Sequence, residues 1–72
     1  MSPVTEYIVQ TAQKAILANK MVEVCIEELG WIRIAEIDTR QEEAIVYFKP
    51  WGANGSRVWA RAERLVALRT AE

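Results

Sequence analysis

The sequence predicts a mainly β domain with an N-terminal α-helix, its five strands closing into a small barrel. Three observations predict it. Apolar residues among the first twenty positions recur at helical spacing, whereas from Met21 the period drops to two. Turn-forming residues then punctuate the chain at Gly30, at 38–43 and at 52–56, leaving short segments of strand length between them. Finally, 72 residues that are 51% apolar suffice for one domain and no more, because a chain of this size buries only about 60% of its unfolded surface. Leu, Ile, Val and Phe total 19, about 26%, above the roughly 20% below which chains stay disordered. No repeat, low-complexity tract or linker divides residues 1–72, so they are read as a single domain.

The helix is expected over residues 3–19. Ser2 is a good N-cap, Pro3 suits the first helical position and Glu6 complements the helix dipole. Val4, Tyr7, Ile8, Thr11, Ala12, Ala15 and Ile16 make one narrow, alanine-rich stripe that must dock on something larger, and Asn19-Lys20 stop the helix. In "MVEVCIEE", Val22, Val24 and Ile26 alternate with Glu23, Cys25 and Glu27 as a half-buried strand. "WIRIAEID" follows as a second strand after a three-residue loop, Glu28-Leu29-Gly30, with Gly30 in the left-handed conformation. That loop sets Val24 opposite Ile34 and Ile26 opposite Ile32, with Arg33 opposite Cys25. "DTRQEE" is a polar turn, and "AIVYFKPW" is a third strand, apolar on both faces and ended by Pro50, which has no N–H to give a ladder.

The segment after the "GANGS" turn has two readings. Its Ala, Arg, Glu and Leu content suits a helix, which would make the fold a three-stranded meander between N- and C-terminal helices. Alternatively "SRVWA" is a fourth strand, "RAER" a single helical turn and "LVALR" a fifth strand. The second reading is preferred, because closing the sheet covers Ile45 and Tyr47 and removes exposed edges.

Composition excludes several function classes. The apolar runs are far shorter than the roughly 20 residues of a membrane helix, and no basic-then-apolar leader opens the chain. One cysteine, Cys25, and no histidine leave no Cys/His zinc set, no cofactor motif and no Ser-His-Asp or Cys-His arrangement. A non-enzymatic protein without cofactor or metal, in a reducing cytoplasm, is the expectation. The net charge of −1 hides a gradient. Residues 1–48 carry four basic and eight acidic side chains (−4), and residues 49–72 carry five basic and two acidic (+3).

With "GWIRIAEI", "AIVYFKPWGANGS" and "RVWARAERLVAL" in view, residues 21–69 resemble the SH3-like small barrels, of which the Tudor-like and Sm-like families are branches. The resemblance implies five short strands with a helical turn between the fourth and fifth. A helix leading into the first strand resembles the Sm-like branch, whose members form rings and bind RNA; the histidine-containing RNA motif of its bacterial members is not present in this chain. In a Tudor-like barrel, Trp31 and Trp51 would lie at one end, where aromatic residues can cage a methylated Lys or Arg by cation–π attraction.

The candidate binding residues are Trp31, Tyr47, Trp51, Arg57, Trp59 and Arg61. Arg57, Trp59 and Arg61 alternate, so a strand puts a ring between two cations on one face. Such a face can stack on bases while its arginines reach phosphates, or it can anchor a protein, Trp and Arg being the residue types that dominate protein interfaces. The acidic overall balance favours a protein partner over nucleic acid, without membrane contact, and with the helix available either to cover the barrel's end or to join copies into a homo-oligomer. Glu36 with Asp38, and Glu42 with Glu43, read as solvated turn charges rather than a catalytic pair, and Cys25 as an ordinary half-buried thiol.

Overall fold

The computed structural model describes residues 2–40, 44–52 and 56–71. Helix α1 (Pro3–Leu17) comes first, followed by strands β1 (Met21–Ile26), β2 (Gly30–Arg40), β3 (Ile45–Pro50) and β4 (Val58–Arg61). A one-turn 3-10 helix (Ala62–Arg64) then leads into β5 (Leu65–Ala71). The strands form one antiparallel sheet in the order β4-β3-β2-β1-β5. The mainly β class, the five strands and the N-terminal helix are thus as expected. Residues 58–71 are strand, helical turn and strand, not one helix, because pairing with β3 and β1 and burial of Ala60, Ala62 and Leu65 outweigh their helical propensity.

The expected closure into a barrel is not made: β4 and β5 sit at opposite edges of the sheet, each bonded to one neighbour. The helix covers the sheet face that carries Val46 and Phe48, while Ile45 and Tyr47, which closure was expected to cover, alternate to the other face and are half-buried there. Ile8, Val9, Ala12 and Ala15 join Val22, Val24, Ile26, Ile34, Val46 and Phe48 in one core. Alanines let the helix lie close to the sheet, and each fully buried Val or Ile contributes roughly 1.5–3 kcal/mol.

The helix begins as its sequence demands. The Ser2 hydroxyl accepts from the Thr5 N–H at 3.2 Å, and lies 3.0 Å from the Thr5 hydroxyl, which itself donates to the Ala62 carbonyl at 3.3 Å. This chain of bonds ties the helix start to the 3-10 turn, and the buried stripe is rotated from the one expected. Thr5 and Val9 face the core, while Val4 and Tyr7, expected inside, are exposed. The last helical residue is Leu17, two before the expected end, and Asn19 takes a left-handed φ of 61°.

The first hairpin keeps its faces but not its expected partners. Its three-residue loop is Glu27-Glu28-Leu29, so Val22 pairs with Ile34, Val24 with Ile32 and Ile26 with Gly30. A two-residue shift preserves the alternation and changes the outer pairs: Arg33 lies opposite Glu23, and Trp31 opposite Cys25. Gly30 is left-handed as expected (φ 82°), and so is Glu28 (φ 77°). Strand β2 runs two residues further than expected and is bent by a register shift between Ile34 and Glu36. The Gln13 amide donates to the Ile37 carbonyl at 3.0 Å just past that bend, a second tie between helix and sheet.

Candidate interaction face

The helix covers one face of the sheet, so alternation sends every other strand residue to the opposite, outer face. Val46 and Phe48 are buried, which puts Tyr47 outside; Ala60 is buried, which puts Trp59 and Arg61 outside. Antiparallel pairing then brings the expected residues together. Tyr47 lies directly opposite Trp59, with Asp38 on its other flank and Ile45 opposite Arg61. Arg57 precedes the strand and reaches Glu36 at 4.0 Å, while Arg61 lies 4.0 Å from Glu63. Both guanidinium groups are more than half exposed in these loose pairs, which contribute little to stability. Trp59 is 61% exposed, a large apolar ring left in water at the edge of the sheet.

Trp31 and Trp51 form a second group. Trp31 opens β2 and Trp51 follows β3, and because Ile34 pairs with Pro50 the two occupy the same end of the sheet, as expected. One face of each ring is occupied by one of this chain's own cations. The Arg33 guanidinium lies 4.0 Å from the Trp51 ring centroid, and the Trp51 backbone N–H donates to the Arg33 carbonyl at 2.9 Å. The Arg69 guanidinium lies 4.2 Å from the Trp31 ring while its Nε donates to Glu23 at 2.9 Å. Trp31 is 41% and Trp51 60% exposed, but in each case a guanidinium holds one of the two ring faces that a methylammonium ligand could use. Arg40 stands 5.4 Å over Tyr47 in the same manner.

Arg33, Arg40 and Arg69 were not among the expected residues. Arg33 had a legible signal, being two positions from Trp31 on one strand face. Arg69 had none, because its contacts depend on β5 lying beside β1, where it faces Glu23 directly. The same pairing dissolves the charge gradient. Arg57 with Glu36, Arg64 with Glu28 at 2.9 Å and Arg69 with Glu23 each join the basic end of the chain to its acidic part.

An open cleft of about 590 Å³ borders Trp59 and Arg61 on the side of the helix start, lined also by Thr5, Ile45, Ala62 and Glu63. A second, of about 300 Å³, separates β4 from the β1–β2 loop and is lined by Ile26, Leu29, Ala60 and Arg64. Glu36 and Asp38 are exposed on β2, and the Asp38 carboxylate accepts from the Thr39 N–H at 2.8 Å. Glu42 and Glu43 lie outside the described residues. Cys25 is half-buried. Among the described residues no group of three or more Cys, Asp or Glu side chains is placed to hold a metal, and no helix is long and apolar enough to cross a membrane. Set against family models, curated proteins and solved structures, the chain matches none of them.

Proposed function

We propose that the protein is a non-catalytic interaction module, an adaptor or subunit of the cytoplasm that binds a protein partner through its outer aromatic and arginine face. The single observation that carries this reading is Trp59, exposed on the edge strand with Arg57 and Arg61 alongside and paired across the strands with the half-buried Tyr47, rather than folded into the core. An exposed tryptophan beside loosely held arginines is the composition of an interface centre, where a few Trp and Arg residues carry most of the binding energy. Trp31 and Trp51, each capped by an internal guanidinium, are the flanking part of that face. The helical turn between the fourth and fifth strands supports the resemblance to SH3-like barrels.

The competing reading is an Sm-like, ring-forming RNA-binding protein. The alternation of Arg57, Trp59 and Arg61 favours it, since bases stack on rings while arginines reach phosphates. The net charge of −1 and the close pairing of Arg64 and Arg69 with carboxylates at 2.9 Å favour a protein instead, because they leave only Arg57 and Arg61, in loose pairs, for an extended polyanion. The test is the double variant Arg57→Ala/Arg61→Ala. Loss of the partner recovered from native extract, with no change toward single-stranded RNA, is the expected result. Salt-sensitive RNA retention by the wild type that the double variant abolishes, together with a defined oligomer, would overturn the protein reading.

A further inference from the structure

The free edge of β4 is the strongest feature that the reading above does not absorb. Among the described residues, β4 is bonded to β3 alone, so its outward backbone groups offer a template for a further strand. The edge also has shape. Val58 faces the helix side yet is 38% exposed, and an open cleft lined by Ile26, Leu29, Trp59, Ala60 and Arg61 borders the strand.

We propose that one extended, acidic segment of a partner protein adds to this edge as a sixth strand. The inference rests on the protein-binding reading and specifies its mode. On the outer face, the added strand sets its alternate side chains beside Arg57, Trp59 and Arg61, whose two arginines lie 4.0 Å from their present carboxylates and are mostly exposed. Acidic residues at the first and fifth positions, with an aromatic one at the third, complement that row. The second and fourth positions fall beside Val58 and Ala60, which apolar side chains complement. Of the two glutamates that line the cleft, Glu27 and Glu28, Glu28 is paired with Arg64 at 2.9 Å. Charge also decides against a second copy. Antiparallel pairing of two β4 edges about Trp59 sets Arg57 opposite Arg61 at both ends, and like charges across strands oppose that arrangement.

The experiment uses the full chain and capped peptides of pattern Glu-Val-Tyr-Val-Asp, Lys-Val-Tyr-Val-Lys, and the acidic peptide with N-methylated backbone. Amide shifts and hydrogen exchange are followed by NMR. The expected result is binding of the acidic peptide with slowed exchange at Val58–Arg61, weaker by roughly tenfold or more for the lysine peptide and for Arg57→Glu/Arg61→Glu, and absent after N-methylation. Both arginines are exposed, so the variant keeps its fold. Equal binding of acidic and basic peptides, or no binding, overturns the inference. So does self-association through β4 in the protein alone. Binding that moves Tyr47 and Trp51 signals, leaves β4 exchange unchanged and survives N-methylation also overturns it, while leaving the interaction face itself standing.

Discussion

Glu28 and Gly30 share a left-handed backbone two residues apart, and only one of them is glycine. An L-residue in that region costs roughly 1–2 kcal/mol. Space around Gly30 is open, so Gly30→Ala isolates the backbone cost and is expected to lower stability by about 1 kcal/mol in urea unfolding. Glu28→Gly is expected to move the opposite way by up to about 1 kcal/mol, since all it gives up is the exposed pair with Arg64. If both substitutions destabilise equally, conformation is not what governs this loop. Arg69 is the other informative residue, with one guanidinium serving the Glu23 carboxylate and the Trp31 ring. Arg69→Ala is expected to cost about 0.5–1.5 kcal/mol, allowing for its exposure. A double-mutant cycle with Glu23→Ala should return a coupling of about 0.2–1 kcal/mol. A coupling of zero would show that the pair only decorates the surface. Neither the Glu28 conformation nor the Arg69 contacts could be read from the neighbouring residues, because each is imposed by strand pairing.

At the scale of elements, the helix start does two jobs. Ser2 caps the helix locally, and through Thr5 it fastens the helix to the 3-10 turn that joins β4 to β5. Ser2→Ala is expected to cost about 1 kcal/mol, as for other N-caps. Thr5→Val removes a buried hydroxyl and leaves the Ala62 carbonyl without that donor, a loss of about 1–3 kcal/mol. Thermal unfolding of the two single variants and the double decides between them: because the bonds form one chain, the combined loss should fall short of the sum. Strict additivity would mean that the cap and the tertiary tie are independent. The cap was legible in "SPVTE", where Ser2 precedes Pro3 and Glu6. The tie was not, because it joins residues 57 apart in the chain.

For the whole molecule, one small core spans the helix and all five strands, so it cannot lose a side without unfolding. At roughly 0.05–0.15 kcal/mol per residue, stability is about 4–11 kcal/mol. Phe48, the largest fully buried side chain, is therefore critical: Phe48→Ala is expected to cost about 3–5 kcal/mol and to leave the chain largely unfolded near physiological temperature. Trp59→Ala removes a ring of greater size yet should cost no more than about 1 kcal/mol, the worth of its cross-strand pair with Tyr47. Circular dichroism melts of the two variants separate a ring that builds the core from one presented to a partner. Similar losses for both would place Trp59 among the structural residues and remove the proposed face.

The sequence by itself determined the elements. Period-two alternation marked the first strand and the Arg57-Trp59-Arg61 row of the fourth, turn residues bounded the others, capping residues marked the helix, Gly30 marked the hairpin and "RAER" marked the turn between β4 and β5, because each of these signals acts within a few residues. Alternation also put Arg57, Trp59 and Arg61 on one face, so that row was legible, whereas the place of Tyr47 beside Trp59 came only from the pairing of β3 with β4. Only the tertiary structure decided the rest: that the helix rather than a closed sheet covers the core, that β4 keeps a free edge, that Arg33 and Arg69 cap Trp51 and Trp31, and that the charge gradient folds onto itself. The reason is physical. A strand's period says which way a side chain points but not which strand lies beside it, and a two-residue shift of register, as in the first hairpin, leaves every face intact while changing every partner.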